Sequence, residues 1–168
     1  MAVLPMQPLQ LKDHPEGGRY REVFRSKRRV ITATSERRCA LTHIYFQLRP
    51  GERSLFHRVG SDEVWNLYQG RGLRLYSWDG TSDCPSCLML SAEANSWCQV
   101  IPAGFWQAAE PISETVLVGC TVAPGFEFTD FQLLQPDCAQ AQALIGRDPA
   151  MARFLEGQPQ ESQTAPSS

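Results

Sequence analysis

The sequence predicts an all-β fold, a sandwich or barrel of short strands with its main helix at the C-terminal end. Two observations carry this expectation. Short runs rich in β-branched and aromatic residues recur along the chain, and each gives way to turn chemistry at regular spacing. Only two stretches read as helical, a brief one over Leu9–Pro15 and a longer one after Asp137.

In chain order, Leu9–Pro15 is expected as a short helix. Leu41–Leu48 forms a strand ending at Pro50-Gly51, and Gly51 opens the next. Glu63–Tyr68 is a strand ending at the turn Gly70-Arg71-Gly72. Leu73–Trp78 follows, with Leu73 and Leu75 on one face, and enters the turn Asp79-Gly80. Cys98–Ile101 stops at Pro102, and Thr115–Val122 stops before Pro124-Gly125. Asp137 is placed to cap a helix reading CAQAQALI that ends at Gly146. Asp148 then caps a last turn with Pro149 in its first position. The segment 157–168 has no aliphatic or aromatic residue beyond alanine and is expected to be a disordered tail. The organisation is therefore an N-terminal extension over 1–12, one domain over 13–156 and the tail.

Composition narrows the class. With 168 residues the chain makes one domain able to bury a core without staples. At 42% hydrophobic and 20% charged residues it is neither disordered nor fibrous, and its apolar runs are too short to span a bilayer. Sixteen basic residues against eighteen acidic ones leave a charge of −2, so nothing draws it to nucleic acid or an anionic membrane. The start lacks a basic region and is broken by Pro5 and Pro8, unlike a signal peptide. Six cysteines are expected reduced and mostly buried, in a cytoplasmic protein.

The stretch GERSLFHRVGSDEVWNLYQG carries the most information. Gly51, His57, Glu63 and Gly70 stand in a spacing that resembles the first signature of the cupin superfamily, with Val59 where a second histidine belongs. Pro102 and Gly104 resemble the second signature, with Gln107 in the place of its histidine and Ser96 in that of its opening glycine. The blocks from Glu16 to Ser26, Ser61 to Trp65 and Val122 to Phe131 are similar to a small single-domain cupin branch labelled as a domain of unknown function. The likeness spans about residues 10 to 135. It implies a jelly-roll β barrel with one or two short C-terminal helices, and a homodimer, since cupins commonly pair through sheet edges. A catalytic cupin metal site typically presents three histidines and a glutamate. Valine cannot ligate and an amide oxygen ligates weakly, so no cofactor is expected, at most a weakly bound divalent ion on His57, Glu63 and Gln107.

Strand alternation places His57 and Val59 on one side of the sheet, and Glu63 with Trp65 on one side of the next strand. His57 and Glu63 are thus the candidate catalytic pair. Trp65, Tyr45, Tyr68, Trp106 and Gln107 join them as candidate ligand contacts, with Phe105 nearby, since a few polar groups among aromatics suit a small-ligand pocket. A carboxylate beside an imidazole favours the charged ring and hence an anionic or hydrogen-bond-rich ligand. The expected function is small-molecule binding without an essential metal, the ligand a sugar or sugar nucleotide. The alternative is an isomerase or epimerase acting on a carbohydrate derivative. It would resemble the superfamily's metal-free sugar epimerases, with His57 as base and Tyr45 or Tyr68 as acid. A metal-dependent dioxygenase ranks third, for want of ligands.

Other features read more plainly. His43 in its strand is a satisfied or solvated histidine, and His14 before Pro15 is a loop residue. Cys84 and Cys87 form a CxxC with no partner pair and no following helix, hence a loop pair. The eight arginines and lysines between Arg19 and Arg38 read as a solvated strand face, or as an anion-attracting rim.

Overall fold

Thirteen strands run through residues 9–156, which the computed structural model describes. They are β1 (Lys12–Asp13), β2 (Arg19–Arg25), β3 (Arg29–Ile31), β4 (Arg37–Cys39), β5 (Thr42–Leu48), β6 (Ser54–Arg58) and β7 (Asp62–Gln69). Then come β8 (Leu73–Trp78), β9 (Ser86–Leu90), β10 (Cys98–Ile101), β11 (Trp106–Pro111), β12 (Val116–Ala123) and β13 (Gln132–Leu133). The chain closes with the helix α1 (Ala139–Arg147) and a 3₁₀ segment, Pro149–Phe154. All strand pairings are antiparallel. They form a six-stranded sheet ordered β1-β2-β5-β12-β7-β10, a five-stranded sheet ordered β13-β6-β11-β8-β9, and the small hairpin β3–β4. The chain is thus mostly β, with its short helices at the C-terminal end, as the sequence predicts. The tail 157–168 and residues 1–8 of the N-terminal extension lie outside the described residues.

Side-chain alternation builds two cores. Between the sheets, Phe46 and Leu48 of β5 meet Trp65 and Leu67 of β7, Leu73 and Leu75 of β8, and Val116 and Val118 of β12. The opposite face of the five-stranded sheet is buried as well. There Phe56, Tyr76, Trp78, Trp106 and Ala108 pack beneath Ala141 and Leu144 of α1, and beneath Met151 and Phe154. The C-terminal helices therefore act as a cover, and β8 and β11 are buried on both faces.

Two local expectations change. Leu9–Pro15 is not a helix. Lys12–Asp13 pairs with β2 as a two-residue strand, because Tyr20 and Arg19 offer it a free edge, which outweighs a weak local propensity. Helix α1 is capped by Cys138, whose sulfur accepts from the Ala141 N–H, one residue later than expected. The second cap holds, with Asp148 accepting from the Ala150 N–H ahead of Pro149.

Candidate ligand-binding site

Between the sheets lies a cavity of about 220 Å³. The inward positions of β5, β6, β7 and β12 supply Ile44, Phe46, His57, Glu63 and Cys120, and the turn after β1 supplies His14 and Glu16. The segment after β12 adds Phe126, Phe128 and Phe131 as an aromatic wall. His57 is 2% exposed and Glu63 is 7% exposed, both on the interior as alternation requires.

A chain of ion pairs organises the polar side. Glu16 Oε2 lies 3.2 Å from His57 Nε2 and 3.2 Å from His14 Nδ1, while Ser54 Oγ donates to Glu16 Oε1 at 2.8 Å. His57 Nδ1 lies 2.8 Å from the Leu55 carbonyl oxygen. Both ring nitrogens of His57 therefore face oxygen acceptors, and the ring stacks on Phe131 at 5.5 Å. On the other side, Gln107 Nε2 donates to Glu63 Oε2 at 2.6 Å, and Trp65 Nε1 donates to Gln107 Oε1 at 2.9 Å. Gln107, expected as a ligand contact, does not line the cavity: it stands behind Glu63, fully buried and fixed at both ends of its amide.

These contacts sort the titrations. Burial works to raise the Glu16 carboxyl, but the facing charges of His57 and His14 and the hydrogen bonds outweigh it and hold it below its ordinary value. Burial works to lower His14, and the charge and hydrogen bond of Glu16 outweigh that and raise it. Glu63 is raised by burial, with only partial relief from His57 and Gln107. Burial, with Glu63 and Glu16 adding to it, pushes the Cys120 thiol well up, so Cys120 is no thiolate nucleophile.

Linkage then shapes stability. Glu16, depressed in the fold, contributes above the ordinary carboxyl range, and this is lost as pH falls through its folded value. Glu63 and His14, both raised, contribute below their ordinary values of 4.5 and 6.5, and this is lost as pH rises through their folded values. The melting midpoint is expected to peak in mildly acidic buffer and to fall on both sides. A midpoint rising steadily from pH 5 to pH 8 (about the span over which histidine titrates) would contradict this balance.

Several expected contacts lie elsewhere. Tyr45 and Tyr68 sit edge to face at 5.9 Å on the outer face of the six-stranded sheet, because their neighbours Phe46 and Leu67 point inward. Tyr68 is 47% exposed, and its hydroxyl meets His43 Nε2 at 3.1 Å. With Thr121 on its other nitrogen at 2.8 Å, His43 is the satisfied histidine expected. Trp106 adjoins Gln107 in one strand, so it faces the opposite way, under the C-terminal helices and against Arg58. Trp65 belongs to the core and reaches the site only through Gln107. His14 is in a loop as expected, yet it lines the cavity. Neither it nor Glu16 follows from strand spacing. The signal was the charged Glu16 set against Gly17 and Gly18, a turn aimed inward. Arg25 reaches the cavity too, but Glu22 at 2.8 Å and Glu127 at 2.9 Å neutralise it. The cysteines are all free as expected but not mostly buried: Cys39 and Cys120 are buried, Cys138 is half-buried, and Cys84, Cys87 and Cys98 are exposed on the surface.

The cupin metal set is not reproduced. Val59 lines the cavity where a ligand would stand, His57 has both nitrogens engaged, and Glu63 and Gln107 are bonded to each other. Among the described residues no group of three or more His, Cys, Asp or Glu is arranged to hold a metal ion. The residues present do not fit the family's metal.

Known structures agree with this architecture. A hypothetical protein from Leishmania major superposes with a TM-score of 0.77 at 28% identity, over 89% of this chain and 95% of that one. A protein from Shewanella oneidensis gives 0.72 at 31% identity, over 89% and 92%. An oxalate decarboxylase from Lactobacillus farciminis is similar in fold alone, with a TM-score of 0.55 at 13% identity, over 74% of this chain and 33% of that one. No curated protein sequence matches. No helix among the described residues is long and apolar enough to cross a membrane. The paired sheets, the inward His57 and Glu63 and the profile match over residues 5–134 come together in one statement: the chain belongs to the Cupin superfamily, in the family DUF985.

Proposed function

We propose that this cupin is a cytoplasmic, metal-independent binding protein for a compact carbohydrate derivative bearing a carboxylate, of which a sugar acid is the simplest type. The observation that carries the reading is the buried His14–Glu16–His57 array opening onto an aromatic-walled cavity. Two imidazoles against one carboxylate favour an anion, the more so while Glu63 stays protonated. Phe126, Phe128 and Phe131 suit the apolar face of a sugar ring. At about 220 Å³ the cavity is below the ~300–1,000 Å³ usual for drug-sized ligands, so it encloses one ring and leaves any nucleotide outside. A thermal-shift series with sugar acids and the matching neutral sugars tests this, because a ligand of the native state raises the midpoint. Neutral sugars shifting the midpoint as much as the acids would end the anion reading.

A second reading, epimerisation or isomerisation of the same ligand class, is favoured by one observation. Tyr20, rather than Tyr45 or Tyr68, lines the cavity beside the imidazoles and can serve as the proton donor. Deuterium uptake from heavy water at a ring carbon of the bound sugar acid would separate catalysis from binding alone.

Metal independence makes its own forecast. Protein purified without added metal is expected to carry far less than one equivalent of iron, nickel, manganese or zinc by elemental analysis, on the donor set described. Stoichiometric metal lost on His57→Ala would overturn it. Assembly as a homodimer is part of the proposal. The edge strand β10 exposes Val100 at 52%, and Trp97 just before it is exposed at 54%, the kind of edge a second copy covers. Light scattering at micromolar concentration is expected to return twice the chain mass, and a monomer mass would refute it.

A further inference from the structure

The two histidines of the array are not equivalent. His57 is spent: Nδ1 is bound to the Leu55 carbonyl, Nε2 to Glu16, and one ring face is covered by Phe131. It has no nitrogen left for a ligand. His14 uses only Nδ1, which lies 3.2 Å from Glu16 Oε2 and accepts from the Glu16 backbone N–H at 3.3 Å. Its Nε2 has no hydrogen-bond partner among the described residues and is not fully buried, although the side chain is only 6% exposed. The side chain lines the cavity, so the unpartnered nitrogen is the one available to a molecule bound there. The ring is held there by aromatic edges, with Tyr20 at 4.6 Å, Phe131 at 5.6 Å and Phe46 at 6.1 Å between ring centroids. The charged groups bearing on it are Glu16, Glu63 and, at the mouth, Lys12.

We infer that His14 is the imidazole that contacts the ligand, its Nε2 hydrogen-bonding a ligand oxygen, while Glu16 and His57 act as positioning residues behind it. Glu16 fixes the ring's orientation through its carboxylate and its backbone N–H at Nδ1. A charged His14 donates from Nε2 to a ligand carboxylate, and a neutral ring that accepts at Nδ1 carries its proton on Nε2 and donates to a ligand oxygen as well. The arrangement makes a three-membered line in which the buried histidine supports the carboxylate, and the carboxylate supports the working histidine. Any proton transfer in the site would then pass through His14 rather than His57. The inference rests on the proposed pocket but not on the identity of its ligand.

Diethyl pyrocarbonate, which acylates reachable unprotonated imidazole nitrogens, tests it without any ligand. The chain has three histidines, so peptide mapping after timed exposure at about pH 8 resolves each one. His14 is expected to react at least ten-fold faster than His57. A smaller ratio, or the reverse order, overturns the inference. A second measurement uses D-glucuronate as probe in the thermal-shift series. If it raises the midpoint of the wild type, His14→Gln should abolish that rise while the variant still melts cooperatively, and a rise retained in His14→Gln refutes the contact. If glucuronate leaves the wild type unmoved, the proposed ligand class is what fails, and the modification order still decides the role of His14.

Discussion

Replacing Glu16 by alanine is expected to destabilise the protein by about 3–5 kcal/mol near pH 6, the range found when one member of a buried ion pair is removed. Glu16 is 5% exposed and is the shared partner of His14, His57 and Ser54. Its loss leaves two imidazoles without the carboxylate they share, and a hydroxyl donor without its acceptor. The penalty should shrink as pH rises through the raised His14 value, because His14 then sheds its proton. Glu16→Gln keeps volume and one acceptor and should cost less than half as much. Urea denaturation of the three proteins at two pH values measures all of this. A loss under ~1 kcal/mol for Glu16→Ala would mean that the array is not a coupled unit, since an exposed pair is worth no more than that.

Gly17→Ala should be nearly as damaging, and for a reason of shape. Gly17 sits at a φ of 102°, in the left-handed region, and an added Cβ would fall 2.2 Å from the Arg53 carbonyl oxygen. Backbone strain of this kind costs on the order of 1–3 kcal/mol before any clash is relieved. Relief requires the turn to move off β6, where the Glu16 carbonyl accepts from the Leu55 N–H at 2.8 Å. That turn aims both His14 and Glu16, and its Gly17 N–H closes onto the His14 carbonyl at 3.0 Å. The variant should therefore lose stability and the sugar-acid thermal shift together. A Gly17→Ala protein that keeps its melting midpoint within about 2 °C, no more than the ~2–4 °C that 1 kcal/mol moves a domain of this size, would show that the turn is softer than its geometry implies.

The strands β5, β6, β7, β8, β10 and β12 were legible in the sequence, whereas β11 and β13 were not among the expected elements. Leu73–Trp78 and Cys98–Ile101 are the bounds of β8 and β10; the strands expected over Leu41–Leu48, Glu63–Tyr68 and Thr115–Val122 differ from β5, β7 and β12 by one residue at one or both ends, and β6 begins at Ser54 rather than at Gly51. Alternation along β6 and β7 correctly turned His57, Val59, Glu63 and Trp65 inward, because a period of two depends only on local backbone geometry. The same rule, applied consistently, already separates Trp106 from Gln107 and Tyr45 from Phe46. What alternation cannot tell is which face of a doubly buried strand meets the cavity. In β11 both faces are covered, one by the opposing sheet and one by the C-terminal helices.

By itself, then, the sequence determined the antiparallel strands β5 to β8, β10 and β12, the helical C-terminus, the inward His57 and Glu63, and a donor set that lacks two of the family's metal-binding histidines. All of these depend on residue type and on neighbours a few positions apart. Only the tertiary structure decided who shares the cavity. It brought the turn at His14 and Glu16 onto β6, 38 positions separating Glu16 from Ser54, and laid the Phe126–Phe131 segment across the same opening. It also spent both nitrogens of His57 and left one of His14 free. Hydrogen-bond partners are assigned by distance in space, and in an antiparallel barrel the nearest acceptor is seldom near in the chain.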